Sequence, residues 1–119
     1  MKLVSKSYLE IKKSKFYGFL YEITSKDEID AILNDLKSSN KGYRHMPYAY
    51  KISNTAGKSN DKEPGDIGLA FYNILDRNNL NSHLLVVLRY FGGVKLGAGN
   101  LFRAYTNCAN LCINNNDNT

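Results

Sequence analysis

The spacing of apolar and polar positions over the first part of the chain predicts a β-hairpin. Residues 3–11 mix the two kinds of position as an edge strand does, and residues 16–23 place aromatic or branched side chains at alternating positions. The polar pair Ser14 and Lys15 separates the two runs. We therefore expect two antiparallel strands joined by a short turn.

Helical spacing follows the hairpin. From Ile29 onward, apolar residues recur at i, i+3, i+4 and i+7, which places them on one face of a helix. Ser25 and Glu28 have the S-x-x-E spacing of a capping box, in which the serine side chain accepts from an exposed amide and the glutamate reaches back. The polar segment 38–42 ends with glycine and stops the helix. The pattern predicts an amphipathic helix that packs against a sheet.

The rest of the chain predicts two more strands and two more helices. Alternation over residues 48–52 indicates a third strand, and residues 54–66 form a polar loop whose length is typical of functional or mobile segments. A helix is predicted over residues 67–76. Residues 83–89 contain an unbroken apolar run, which indicates a central strand buried on both faces. A last helix is predicted from Leu101 to Cys112, where apolar positions keep helical spacing.

The order of these elements, ββαβαβα, predicts the fold class. We expect an α+β domain: a two-layer sandwich of a four-stranded, mainly antiparallel sheet with its helices on one face. Residues 1–113 are predicted to form one domain, and the polar residues 114–119 a disordered tail. A chain of 119 residues is long enough to bury a core without a disulfide or metal.

Charge and cysteine content narrow the classes of function. Sixteen Lys and Arg against eleven Asp and Glu give a net charge of +5, which favours anionic partners but also serves solubility. Cys108 and Cys112 share one face of the last predicted helix without a metal-binding set around them, so we expect buried free thiols. There is no apolar signal core and no run long enough to span a bilayer. We expect a cytoplasmic protein without membrane attachment, metal or cofactor.

The segment at residues 89–99, which reads RYFGGVKLGAG, is the most informative in the chain. Four of its last eight residues are glycine, and they lie between a buried strand and a helix. Glycine allows a backbone or a ligand to approach closely, and the unpaired amides at a helix start favour an anion. Arg89, Lys95 and Arg103 add positive charge. The segment predicts a phosphate or carboxylate site; a tight structural turn is the alternative. It matches neither a Walker loop nor a dinucleotide fingerprint.

The same segment, continued by RAY at residues 103–105, resembles the signature of the IMPACT (YigZ-type) family almost residue for residue. Shorter matches lie in the same order: SKF at residues 14–16, and His45 followed by YAY at residues 48–50. Residues 59–64 are similar to the family's S-D-D-G-E-P loop. The resemblance covers about residues 14–113, the N-terminal domain of the family.

The chain also departs from the family pattern. Asn60 and Lys62 replace an acid and a glycine of the acidic loop, the segment after Pro64 is one residue shorter, and Asn100 replaces a glycine. Chemistry that needs the complete acidic loop is therefore less expected here than binding at the glycine segment.

The resemblance implies a fold like the second domain of a small-subunit ribosomal protein. It implies no settled activity: eukaryotic relatives act by protein binding, competing for the activator of a translation-initiation-factor kinase, and nucleic-acid binding has been proposed for bacterial relatives. Bacterial relatives carry a second, ferredoxin-like domain at the C-terminus, which we expect this chain to lack.

The first functional hypothesis is a translation-related binding module. Its basic groove holds an RNA phosphate, an acidic segment of a ribosome-associated protein, or another phosphate-containing ligand. The residues assigned to this anion site are Lys15, Arg89, Gly92, Gly93, Lys95, Gly97, Gly99 and Arg103. A role limited to protein binding is a variant of this hypothesis.

The second hypothesis is an enzyme acting on a phosphorylated or anionic small molecule. His45 with Asp61 and Glu63 would serve as a general acid–base set if the polar loop folds over the glycine segment. The chain shows no nucleophile elbow and no paired-carboxylate motif, and a lone histidine before a strand is more often structural. The sequence therefore favours binding over catalysis.

Overall fold

The computed structural model describes residues 1–117 and shows an α+β fold, as predicted. A five-stranded sheet in the order β1-β2-β5-β3-β4 is antiparallel at every pairing. The elements are β1 (Lys2–Ile11), β2 (Ser14–Glu22), α1 (Lys26–Ser39), β3 (Tyr48–Ile52), β4 (Thr55–Ser59), α2 (Ile67–Arg77), β5 (His83–Tyr90) and α3 (Ala98–Asp117).

The sheet has one strand more than the four predicted. Thr55–Ser59 of the predicted loop forms β4, an edge strand that pairs with β3 from Tyr48↔Ser59 to Ile52↔Thr55. Apart from Thr55, its TAGKS sequence has no β-branched or aromatic residue that would signal a strand. The strand pairs through its backbone, and the ring of Tyr50 on the partner strand packs against Gly57. Only the part of the polar segment after Ser59 remains a loop.

The helices cover both faces of the sheet, so the predicted two-layer arrangement with all helices on one face is wrong. Side chains of α1 pack with Leu84, Val86 and Leu88 of β5, whereas α2 and α3 pack with Leu85 and Val87. Successive residues of a strand point to opposite faces. The continuous apolar run of β5 therefore needs cover on both sides, which three layers provide.

The start of α1 differs in detail from the predicted capping box. The Ser25 side chain makes no capping hydrogen bond. Instead, the carboxylate of Glu28 accepts from the amide of Thr24 at 3.1 Å and from its hydroxyl at 2.6 Å. These hydrogen bonds from Thr24 lower the pKa of Glu28. The glutamate reaches back as expected, but to the residue before the serine.

The last helix extends beyond its predicted end. Residues 114–117, predicted as tail, belong to α3, where Asn115 Nδ2 donates to the carbonyl of Lys6 at 2.8 Å. The helix continues because Asn115 is tied to β1; residues 118 and 119 lie outside the described part of the chain. Among residues 1–117, no helix combines the length and the apolar character needed to cross a bilayer.

Close packing fixes α3 against β1 and β2. Ser5 and Ser7 donate to the carbonyls of Cys112 and Cys108 at 2.6 and 2.7 Å, and a Cβ on Gly18 would lie 2.3 Å from Ser7 Oγ. Both cysteines are buried free thiols, as predicted, and burial raises the pKa of Cys108 to about 11. These contacts hold α3 against the first hairpin.

Candidate functional site

A cleft of about 490 Å³ opens where β5 ends, between the residues preceding β3 and the loop that leads into α3. Its walls combine basic and apolar side chains. They are Arg44, His45, Arg89, Phe91, Lys95, Leu96 and Leu101. The fold therefore brings together three of the residues predicted for the two hypotheses: Arg89 and Lys95 from the anion site, and His45 from the acid–base set.

Backbone pairing to β5 positions the residues before β3. The amide of Arg44 donates to the carbonyl of Arg89 at 2.7 Å, and the amide of Arg89 donates to the carbonyl of His45 at 3.0 Å. His45 and Arg89 thereby form an isolated antiparallel bridge. This backbone pairing with β5 holds Arg44 and His45 at the mouth of the cleft.

Arg89 is paired with a buried carboxylate. Its Nε and Nη2 donate to the two oxygens of Glu63 at 2.5 and 3.0 Å, and the Tyr105 hydroxyl donates to Glu63 Oε2. Burial works to lower the pKa of Arg89, but the hydrogen bonds and charge of Glu63 raise it overall. Burial, reinforced by the hydrogen bond to Glu63 and by the Glu63 charge, raises the pKa of Tyr105. Arg89 and Tyr105 therefore anchor the loop that carries Glu63.

His45 connects this buried pair to the cleft. Its Nδ1 lies 2.6 Å from the carbonyl oxygen of Asp61, and because a carbonyl only accepts, Nδ1 carries a proton. Its Nε2 lies 3.6 Å from Glu63 Oε1. The side chain is 23% exposed, so the imidazole is accessible from the cleft while both of its nitrogens face oxygen atoms.

The carboxylate of Asp61 has a different place from the one expected for an acid–base set. Its Oδ2 accepts from the backbone amide of Met46 at 2.6 Å. The side chain of the preceding residue also accepts from a backbone amide: Asn60 Oδ1 accepts from the amide of Gly68, in the first turn of α2, at 2.7 Å. Of the three acid–base candidates, the structure brings the side chains of His45 and Glu63 together, whereas Asp61 reaches His45 through its carbonyl. Within residues 1–117, no three His, Cys, Asp or Glu residues group as metal ligands.

Two exposed cations flank the cleft. Lys95 pairs with no carboxylate among residues 1–117, and the Arg44 guanidinium lies 4.8 Å from the centre of the Phe91 ring. Sequence reasoning missed Arg44; its position directly before His45, in a segment expected to lead into a strand, was the available signal.

Two residues of the predicted anion site lie outside the cleft. Lys15 pairs with Tyr90 in the sheet and lines a separate hollow. Arg103 is exposed on α3, where its guanidinium donates to Asn100 Oδ1 at 2.8 Å.

The glycines of the segment shape the loop, and none of the four is among the residues that line the cleft within the described chain. A Cβ on Gly92 would lie 2.1 Å from the carbonyl carbon of Lys13, and Gly93 has φ +92°. The Gly97 carbonyl accepts from the Leu101 amide at 2.9 Å as α3 begins, and Gly99 lies in the first turn. Binding of an anion by the amides around Gly97 and Gly99 stays a prediction.

Fold and site together define an α+β domain with a basic cleft at the end of its central strand. The family model of the Impact N-terminal domain matches residues 12–113, and the chain belongs to the IMPACT family. The family resemblance read from the sequence is thereby confirmed.

Two relatives illustrate the extent of the match. The chain is 36% identical over 99 residues to IMPACT family member YvyE of Bacillus subtilis (strain 168), covering 80% of this chain and 46% of the relative. It is 31% identical over 110 residues to IMPACT family member YigZ of Escherichia coli (strain K12), covering 87% of this chain and 54% of the relative. The chain thus spans about half the length of these relatives.

Solved structures support the same fold. A crystal structure of a hypothetical protein matches with a TM-score of 0.85 and 27% identity, covering 95% of this chain and 59% of that one. The two-domain translational regulator Yih1 matches with a TM-score of 0.56 and 21% identity, covering 93% of this chain and 45% of that one. The second likeness supports the fold alone.

Proposed function

We propose that this chain is a translation-related binding module whose cleft holds a phosphate group of RNA. The observation that carries the proposal is the pair of exposed cations, Lys95 and Arg44, on either side of an open cleft that also contains His45. Since Glu63 already neutralises Arg89, the charge offered to a ligand comes chiefly from Lys95 and Arg44. Two cations with an apolar floor suit a phosphate attached to a larger molecule.

The charge around the cleft supports an anionic ligand. One end of the sheet contains the β1–β2 turn, the ends of β4 and β5 and the start of β3. Basic residues are concentrated at this end. They are Lys12, Lys13, Lys15, Lys41, Arg44, Lys62, Lys95 and Arg103. Basic residues outnumber acidic ones at this end, and such an excess of positive charge raises the local concentration of anionic ligands and speeds their association.

A component of translation is the first partner to test, and within that class the apolar lining of the cleft favours RNA over the acidic segment of a ribosome-associated protein. A fold relative, Yih1, is described as a translational regulator, which makes components of translation the first partners to test. The apolar cleft residues Phe91, Leu96 and Leu101 offer contact to a ribose or base beside the phosphate. Carboxylates would also pair with Lys95 and Arg44, so an acidic protein segment is the competing form of this proposal.

Fluorescence anisotropy with a labelled single-stranded RNA tests the proposal. Wild-type protein should bind at low salt, and its affinity should fall as salt rises, because phosphate contacts release counterions. Lys95→Ala should weaken binding and reduce the slope of log affinity against log salt by about one. The matched control is Lys26→Ala at the start of α1, at the opposite end of the sheet.

The two lysine variants decide the proposal together. A loss of affinity with Lys95→Ala that Lys26→Ala does not share supports binding in the cleft. An equal loss of RNA affinity in both variants would mean that binding depends only on the net charge of the protein, and the assignment of the site to the cleft would fail. If RNA does not bind at low salt while an acidic peptide does, the protein form of the proposal replaces the RNA form.

An enzyme remains the second candidate because of one observation. His45 Nδ1 is held by the Asp61 carbonyl while Nε2 is reachable from the cleft beside Glu63, an arrangement that orients an imidazole for proton transfer. Turnover of a phosphorylated compound that His45→Ala abolishes, and His83→Ala at the far end of β5 preserves, would establish catalysis. A broad phosphatase and nuclease screen without turnover would reject it.

A further inference from the structure

Phe91 separates the cleft from a second hollow on the side of the sheet that carries α1. This hollow has a volume of about 500 Å³. Its lining is basic and aromatic: Lys13, Lys15, Tyr17, Asn40, Tyr90 and Phe91. Because Phe91 belongs to both linings, a ligand seated in the cleft can continue into the hollow without leaving the protein surface.

Three tyrosine rings form a row beside this hollow, which we term the tyrosine face: Tyr8, Tyr17 and Tyr90. The ring centres of Tyr8 and Tyr17 are 4.9 Å apart, and those of Tyr17 and Tyr90 are 5.7 Å apart. Tyr8 and Tyr17 are direct partners across β1 and β2, so their side chains lie on one face of the sheet. The row therefore crosses three neighbouring strands.

Helix α1 covers the tyrosine face only in part, because Tyr17 packs against the core cluster that contains α1 whereas Tyr8 is not part of that cluster. Its buried residues, Ile29 to Leu36, pack over the part of the sheet that contains Leu84, Val86 and Leu88. Tyr8 remains 47% exposed, and its hydroxyl donates to Glu10 at 2.8 Å, which holds the ring over β1. Tyr17 and Tyr90 are half-buried, so the accessible parts of their rings continue the exposed ring of Tyr8. A contiguous apolar surface rimmed by polar residues is typical of a binding site.

The charge at the rim of the tyrosine face indicates what would stack there. Lys6, Lys13 and Lys15 are exposed around the row. Glu10, the cross-strand partner of Lys15, accepts a hydrogen bond from the Tyr8 hydroxyl. Flat rings bordered by lysines match a chain of bases joined by phosphates, since each base has a π-face and each phosphate a negative charge.

We propose that the tyrosine face binds unpaired bases of single-stranded RNA, with Lys13 and Lys15 holding the adjoining phosphates. The inference rests on the proposed function for the class of ligand and adds that the RNA is single-stranded. A double helix would meet the cleft with its phosphates but would keep its bases stacked on one another. The tyrosine face therefore predicts a preference for single-stranded over double-stranded RNA, which the cleft alone does not predict.

Binding of single-stranded and duplex RNA of about twelve nucleotides, measured by anisotropy, tests this preference. Wild-type protein should bind the single strand more tightly. Tyr8→Leu and Tyr90→Leu keep an apolar side chain but remove the ring, so each should weaken single-strand binding by about tenfold and leave duplex binding unchanged. Tyr72→Leu, on α2 at the other face of the sheet, is the matched control. Thermal denaturation of each variant shows that the fold is retained, which the exposure of Tyr8 favours.

The outcomes separate this inference from the proposed function. If Tyr8→Leu weakens binding no more than Tyr72→Leu, or if duplex and single strand bind equally, stacking is wrong, and the cleft proposal stands as long as Lys95→Ala still weakens binding. If Tyr8→Leu weakens binding while Lys95→Ala matches Lys26→Ala, stacking stands and the cleft assignment fails. If neither form of RNA binds at low salt, both are overturned.

Discussion

At the scale of single residues, the buried carboxylate of Glu63 holds the side chain of Arg89, which forms part of the cleft wall. Arg89 contacts both carboxylate oxygens, and the Tyr105 hydroxyl donates to one of them. Replacing a member of a buried charged pair costs far more than losing an exposed ion pair, because the partner is left buried without compensation.

Single substitutions in the Glu63–Arg89–Tyr105 network should differ in their effect on stability. We expect Glu63→Gln to lower the free energy of unfolding by about 3–5 kcal/mol, since Arg89 loses its counter-charge. Tyr105→Phe removes one hydrogen bond but keeps the ring between Phe16 and Phe71, so its cost should be about 1–3 kcal/mol. Urea denaturation measures both. A smaller loss for Glu63→Gln than for Tyr105→Phe would contradict this account.

The thiol of Cys108 gives a pH-dependent prediction. Burial raises its pKa from 9.0 to about 11, so the folded state keeps a proton that the unfolded state loses. The thiol's contribution to stability is therefore fully present below pH 9.0 and is lost as pH rises toward about 11. We expect the difference in unfolding free energy between wild type and Cys108→Ala to shrink across this window. A constant difference would show that ionisation of Cys108 is not coupled to folding.

At the scale of elements, the glycines of the loop between β5 and α3 have unequal roles. A Cβ on Gly92 would overlap the backbone of Lys13 and Ser14, whereas a Cβ on Gly97 would meet no atom within 4 Å. We expect Gly92→Ala to cost about 2 kcal/mol or more, because the backbone has to move, and Gly97→Ala to change stability by no more than about 0.5 kcal/mol. Thermal denaturation provides the measurement. Similar losses in both variants would mean that the loop is held by something other than its contact with the β1–β2 turn.

The loop before α2 stores backbone strain at the position where the family pattern carries glycine. Lys62 has φ +66°, a conformation that costs a residue with a Cβ about 1–2 kcal/mol. Lys62→Gly should therefore stabilise the protein by up to about 1 kcal/mol after the entropy cost of glycine. Lys58→Gly, in the strand β4, removes the same charge and should destabilise. Chemical denaturation that finds both variants less stable than wild type would show that Lys62 makes a compensating contact.

The elements in which apolar residues alternate, repeat at helical spacing or form an unbroken run were predictable from the sequence. The first hairpin, α1 and the buried β5 follow directly from the positions of their apolar residues. The strand β4 was not predictable in this way, because the large side chain at its contact with β3 belongs to Tyr50 of β3 and not to β4 itself. The face on which α1 lies was not predictable either, since an amphipathic pattern shows that a helix covers a sheet but not which side it covers.

At the scale of the whole molecule, the candidate site is a product of strand register. Arg89 and Tyr90 are neighbours in sequence but point to opposite faces, and Lys15 pairs with Tyr90. Lys15 therefore faces the α1 side, away from Arg89 and the cleft, although both were assigned to one anion site. Lys95 and His45 both line the cleft, Lys95 because it follows β5 in the chain and His45 because it forms a bridge with Arg89 near the end of β5.

The most direct test of the account maps an RNA ligand onto the whole domain. Amide and side-chain chemical shifts of the labelled protein would be followed by NMR while a single-stranded RNA is added. We expect the largest changes at Arg44, His45 and Lys95, with smaller ones at Tyr8 and Tyr90, and no change at Lys26. Shifts absent from the cleft, or centred on the opposite end of the sheet, would contradict the claim that the cleft is an RNA phosphate site.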